Sequence, residues 1–145
     1  PLVALREMTR VLRPGGRLVV AVWGARSRCG WADIFPIVDA RVRSEVCPMF
    51  FQLGTGDSLN AVMGEAGLKD LECRRLATML RYGSAEEACG AVFAGGPVAL
   101  AYSRFDATTR SEVHAEYLAS IEPWRRGECY EVPGEFVVAK GSRSA

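Results

Sequence analysis

Hydrophobic and polar positions along the chain change period several times, and the most informative change falls between Leu12 and Gly24. Leu18, Val19, Val20, Ala21, Val22 and Trp23 form an unbroken apolar run. A strand with one wet face alternates at period two, so an unbroken run predicts a strand buried on both faces, as in parallel sheets covered by helices on either side. Pro14-Gly15-Gly16 leads into it. The proline fixes its own φ and pushes Arg13 out of the helical region, while the glycines accept the positive φ of a tight turn. Upstream, Leu2, Leu5, Met8 and Leu12 recur at the three- and four-residue spacing of an amphipathic helix. The predicted order is helix, sharp turn, central strand.

Beyond Gly24, Ala25 to Gly30 is a small, polar and basic loop at the carboxyl end of that strand, where open α/β sheets place their ligands. Trp31, Ile34, Phe35, Val38, Val42 and Val46 then keep helical spacing, with Pro36 in the first turn, until Cys47-Pro48 breaks it. Met49, Phe50 and Phe51 lead into Gly54-Thr55-Gly56-Asp57. Asp57 or Ser58 caps a helix bearing Leu59, Val62 and Met63, and Gly67 ends it. Leu68 to Leu80 reads as a long strand. Ser84 with Glu87 forms a capping box for a helix through Phe93, and a short helix carries Val98, Ala101, Tyr102 and Phe105. Asp106, or Thr109 with Glu112, caps a helix whose stripe is Val113, Tyr117, Leu118 and Ile121. Pro123 stops it. Cys129 to Val132 and Glu135 to Lys140 read as the last strand, and the glycine and serine tail is expected to fray.

Composition narrows the class. The 145 residues fit one domain with a sizeable core, and no linker or internal repeat divides them. Eighteen basic and seventeen acidic side chains leave a formal charge of +1, with no basic patch for a nucleic acid. No apolar run approaches the roughly 20 residues that span a bilayer, so no membrane partner is expected. The five cysteines form no C-x-x-C pair and no zinc ligand set, which suits a reduced cytoplasm and predicts no metal. The chain opens at Pro1, inside what reads as a helix, without an initiator Met.

Taken together, the L-R-P-G-G turn, the apolar strand, the capped helix ending in E-A-G-L at 65 to 68, and the final strand before Lys140-Gly141 resemble a known family. The ordering is similar to the carboxyl half of the class I S-adenosylmethionine-dependent methyltransferases, in the branch related to ubiquinone and menaquinone C-methyltransferases. The signature R-x-L-R-P-G-G-x-L appears as R-V-L-R-P-G-G-R-L at Arg10 to Leu18. The resemblance implies an α/β fold comprising strands 5, 6 and 7 of a Rossmann-like methyltransferase sheet, with 7 antiparallel between 5 and 6. It also implies a helical cap insertion at about 84 to 123. The family's glycine-rich cofactor turn and its acidic ribose-binding residue have no counterpart in residues 1 to 145. S-adenosylmethionine is therefore the implied cofactor of a complete enzyme, and this chain alone is expected to be inactive, with no cofactor-binding residue assigned.

Candidate chemistry is sparse. Gly54-Thr55-Gly56-Asp57-Ser58 before a helix reads either as an anion cradle or, with Asp57 already supplying negative charge, as an ordinary capped turn. His114, flanked by Glu112 and Glu116, reads as solvated. Cys29 lacks an activating neighbour. The aromatic residues Trp23, Trp31, Phe35, Phe50 and Phe51, together with Arg26 for an acidic group, are the candidate walls of an acceptor pocket at the carboxyl end of the 17 to 23 strand. Each also suits a core. Methyl transfer from a sulfonium mainly needs positioning and exclusion of water, so no catalytic residue is assigned. The leading expectation is a methyltransferase portion acting on a small, partly apolar organic molecule. The alternative is a non-catalytic ligand-binding or assembly module. The unpartnered edge of the 17 to 23 strand predicts either an edge-strand homodimer or pairing with an upstream half of the same polypeptide.

Overall fold

In the computed structural model, which describes residues 1–42 and 49–144, helix α1 (Leu2–Val11) gives way to strand β1 (Arg17–Trp23) through the turn that the sequence calls for. The Gly16 N–H donates to the Arg13 carbonyl at 2.7 Å, with Pro14 second in the turn and Gly15 third at φ +72°, the geometry of a type II turn. Arg143 holds this corner from the far end of the chain. Its backbone exchanges hydrogen bonds with Gly15 and Gly16, and its guanidinium donates to the carbonyls of Arg10 and Leu12 at 2.6 Å. Those carbonyls belong to the end of α1, where a cation also suits the helix dipole. The tail through Arg143 is thus anchored rather than frayed.

Strand β2 (Lys69–Tyr82) follows helix α3 (Ser58–Glu65), and strand β4 (Cys129–Ser142) lies between β1 and β2, as the family resemblance implies. β1 and β4 are antiparallel, with Arg17 opposite Ser142 and Trp23 opposite Phe136. Along the other side of β4, Ser142 bonds Asp70, Lys140 meets Glu72 at 2.9 Å and Glu135 meets Arg75. Numbers rise on β2 as they fall on β4, so β1 and β2 run the same way. A two-residue strand, β3 (Arg125–Arg126), pairs with the start of β4.

The chain divides into two compact units. The sheet unit comprises Pro1–Ala25, Phe50–Ala77 and Glu135–Ala145. Its core joins Leu5 of α1 with Leu59, Met63 and Ala66, Leu68, and Val137 and Ala139 of β4, and Leu18, Val20 and Val22 pack against it. α3 ends in a Schellman motif: Leu68 N–H reaches Met63 O, Gly67 N–H reaches Gly64 O, and Gly67 takes φ +90°. At its other end Asp57 makes no side-chain capping bond. Both helices cover the same face of the sheet. On the opposite face Val19 is 63% exposed and Leu76 50%. The expectation that β1 is buried on both faces is therefore not met, because no described element of this unit covers the second face.

The helical unit comprises Arg26–Met49 and Thr78–Gly134. Helix α2 (Ile34–Asp39) buries Ile34, Phe35 and Val38, and Pro36 sits in its first turn. It is shorter than the apolar spacing suggests; Val46 and the Cys47-Pro48 break lie outside the described residues. Helix α4 (Ala85–Cys89) starts on the predicted box, with Glu87 N–H on Ser84 Oγ at 3.1 Å and the Glu87 carboxylate accepting Gly83 N–H at 2.7 Å. From Gly90 to Ala94 it widens to an i to i+5 turn, closed by Gly95 N–H on Gly90 O. Helices α5 (Ala99–Tyr102) and α6 (Ala107–Ile121) follow. Asp106, not Thr109, caps α6, its carboxylate accepting Thr109 N–H at 2.8 Å. Among the described residues no helix is long and apolar enough to cross a membrane.

Candidate functional site

At the carboxyl end of β1 three stretches of chain meet within the sheet unit. Trp23 stacks on Phe136 with ring centroids 4.2 Å apart. Gly24 N–H donates to the Glu135 carbonyl at 2.6 Å. A Cβ at Gly24 would collide with the Glu135 side chain, and one at Gly54 would collide with the Trp23 carbonyl, so two glycines let the strand end, β4 and the 54 to 56 turn close together. Arg75 of β2 ties them. Its guanidinium donates to Gly54 O at 3.1 Å, Gly56 O at 2.5 Å and the largely buried Glu135 carboxylate at 2.7 Å. The turn thus offers carbonyls to a cation, and the anion-cradle alternative is not supported. Thr55 Oγ1 donates to Phe51 O at 2.9 Å, which carries the connection to the aromatic pair. Phe51 is buried, Phe50 half-buried, and the two rings meet edge to face at 5.2 Å.

The other three predicted wall residues belong to the helical unit. Arg26 lies exposed in a short turn (Arg26–Arg28), its guanidinium 3.7 Å from Asp33. Trp31 and Phe35 are buried, their rings 6.1 Å apart. Cys29 is buried beside them in sequence.

A cluster that the sequence did not reveal lies around α6. His114, expected to be solvated, is half-buried. Its Nε2 lies 2.9 Å from the Tyr102 hydroxyl, and its ring stacks on Tyr102 and sits 5.0 Å from that of Phe93. Burial lowers its pKa below the ordinary 6.5, and the Arg110 guanidinium lowers it further. Tyr117 is fully buried and its hydroxyl has no hydrogen-bond partner among the described residues; burial pushes its pKa up. Burial likewise pushes the Cys89 thiol up to about 11, which makes it a poor nucleophile. The missed signal was the 4, 3, 4 spacing of Arg110, His114, Tyr117 and Ile121, which places the histidine beside the apolar stripe.

Two concavities in the sheet unit lie elsewhere. One of about 690 Å³ sits at the amino end of β1, among Arg17, Lys69, Asp70, Glu72, Lys140 and Arg143. Within it Lys140 pairs with Glu72 and Asp70 accepts from the Ser142 hydroxyl, and it is at the wrong end of β1 for an α/β ligand site. A second of about 290 Å³ lies on the open sheet face beside Val19, Leu76 and Val138. No group of three or more His, Cys, Asp or Glu side chains among the described residues is placed to hold a metal ion.

No protein-family profile and no curated protein matches this sequence. Its fold is matched by a solved structure from Bacillus halodurans described as a candidate methyltransferase. That structure is 16% identical, and the match covers all of this chain and 63% of that one with a TM-score of 0.51. The chain thus has a methyltransferase-like mixed α/β fold and spans less than two thirds of the neighbour's length.

Proposed function

We propose that this chain is the carboxyl-terminal part of an S-adenosylmethionine-dependent methyltransferase acting on a small, partly apolar organic acceptor. The observation that carries this reading is the sheet order, an antiparallel β4 between two strands that run alike, within a fold matched along the whole chain by the Bacillus halodurans structure. On this reading β1, β2 and β4 are the fifth, sixth and seventh strands of a Rossmann-like sheet, and residues 84 to 123 belong to a cap inserted between the last two. The R-V-L-R-P-G-G-R-L signature points to the branch related to ubiquinone and menaquinone C-methyltransferases. Its thiols suit a cytoplasmic setting.

S-adenosylmethionine, when bound, supplies an electrophilic methyl group. Residues of this chain do not fit its site. The 54 to 56 turn spends its carbonyls on Arg75, and the Glu135 carboxylate at the strand end is engaged by the same guanidinium. No step of the transfer is assigned to them, and the cofactor half is carried by other polypeptide. What this chain contributes is acceptor positioning and exclusion of water at the end of β1, through Trp23, Phe50 and Phe51. Arg26, Trp31 and Phe35 lie in the helical unit, where Trp31 and Phe35 also form core.

Calorimetry of residues 1 to 145 with S-adenosylmethionine should show no saturable heat; micromolar binding would overturn this division of labour. The product of the complete reading frame should move a labelled methyl group to phenolic or quinol acceptors. Acceptor binding without transfer would favour the non-catalytic module instead.

A further inference from the structure

We infer that Arg75 is a positioning residue for the aromatic wall at the carboxyl end of β1, fixing the spacing between Trp23 and the Phe50–Phe51 pair. The inference rests on the acceptor reading above. Its basis is a continuous set of contacts in one unit. Phe51 O is bonded by Thr55, and Thr55 lies between Gly54 and Gly56, whose carbonyls both accept from Arg75. Arg75 also pairs with Glu135, which precedes Phe136, and Phe136 stacks on Trp23. Gly54 meanwhile rests against the Trp23 carbonyl so closely that no side chain fits there.

The chemistry explains why arginine stands at this position. Two backbone carbonyls and a carboxylate converge from three directions, and a planar guanidinium with five donors satisfies all of them at once. The Glu135 side chain is only 13% exposed, so its charge is best served by a partner that stays in place. A lysine ammonium can reach Glu135 and at most part of the turn. The consequence is a rigid corner. Without it the 54 to 56 turn keeps local bonds, the Thr55 and Ser58 backbone bonds and the Thr55 hydroxyl on Phe51 O, but loses its tie to β2 and β4, and the phenylalanines that precede it lose their fixed distance from the indole.

The test uses residues 1 to 145 carrying 5-fluorotryptophan, with the Trp23 fluorine resonance assigned by Trp23→Phe. Phenol, 1-naphthol and cyclohexanol are titrated into the wild-type chain, Arg75→Lys, Arg75→Met and Glu135→Gln. We expect Arg75→Met to weaken 1-naphthol binding at least tenfold, to erase the preference for 1-naphthol over cyclohexanol, and to broaden or split the Trp23 resonance. Arg75→Lys should restore part of each effect, which loss of fold stability alone would not do. Glu135→Gln, which keeps the shape of the contact, covers the case in which Arg75→Met fails to fold, and it should broaden the same resonance. Unchanged selectivity with a single sharp Trp23 line in these variants would overturn the inference. A wild-type chain that binds none of the three probes would overturn the acceptor reading instead, and the Trp23 line shape would still decide the role of Arg75.

Discussion

The two faces of the sheet unit differ more than their sequences do. On one, Leu18, Val20 and Val22 meet Val137, Ala139 and the helices α1 and α3; on the other, Val19 and Leu76 stand at least half exposed and an ion pair, Lys140 with Glu72, is itself half exposed. Such a pair contributes about 0 to 1 kcal/mol, so it does not account for the stability of that side. Val19 and Val20 are identical neighbours, yet one is exposed and the other is partly buried against the core. Burial here is set by what lies across from a residue, and the strand's own composition carries no information about it.

Val20→Lys breaks this comparison most severely if it is right. It removes a partly buried apolar side chain from the covered face and sets an ammonium toward Val137 and Ala139, so a loss of about 1.5 to 3 kcal/mol is expected. Val19→Lys, one residue away, should stay within about 0.5 kcal/mol. Urea denaturation of both variants checks the pair, and equal losses would mean that both faces are buried. Next in size is Gly54→Ala, which forces a methyl group into the Trp23 carbonyl and should cost about 1 to 3 kcal/mol by displacing the turn. An alanine variant as stable as the parent would mean that this corner is looser than its contacts imply.

Much of both units was legible in the sequence because the punctuation is local. The Pro14-Gly15 turn, the Gly67 helix stop and the Ser84 and Asp106 caps each depend on a few adjacent residues whose backbone preferences are strong. The sheet order came from the resemblance to the methyltransferases, because the order of elements along a chain does not by itself say which strands are neighbours. The corner at Arg75 was not, because Gly24, Gly54 and Glu135 acquire meaning only when three distant stretches converge. In sequence Arg75 is the second of two adjacent arginines, with nothing nearby in the chain to mark it. His114 was misread for a related reason: the charges beside it, Glu112 and Glu116, point outward to Arg41 while the histidine ring turns toward Phe93 and Tyr102.

The open face and edge make a weaker but distinct demand. The outer edge of β1 pairs with no strand among the described residues, and the apolar side chains beside it face outward. The isolated chain should therefore self-associate, through edge pairing with a second copy, unless other polypeptide occupies that edge. Val19→Lys should shift it toward monomer by placing like charges across the pairing, without the loss of folding expected of Val20→Lys. Sedimentation velocity over a concentration series reads this directly, and a wild-type chain that remains monomeric throughout would favour a self-sufficient module.

The smallest effect sharpens the same contrast on α6, which also has a covered and an open side. Val113, Tyr117 and Ile121 are buried, Glu112 and Glu116 face Arg41, and His114 lies at the boundary. Its folded pKa is below 6.5 because burial, then Arg110, disfavours the imidazolium. The unfolded chain consequently binds a proton first as pH falls, and folding stability drops from pH 6.5 downward until the folded-state pKa is passed. Glu116 acts in a lower window. The Arg41 guanidinium holds its carboxyl below the ordinary 4.5, so its contribution is complete above that value and is lost as pH falls below it. Comparing urea midpoints at pH 7.5 and 5.5 isolates the histidine. The wild-type chain should be less stable at pH 5.5, and His114→Phe, which keeps a ring against Phe93 and Tyr102 but cannot titrate, should flatten the difference. An unchanged pH dependence in His114→Phe would place the imidazole in water on the open side of the helix, where the charged neighbours in the sequence first put it.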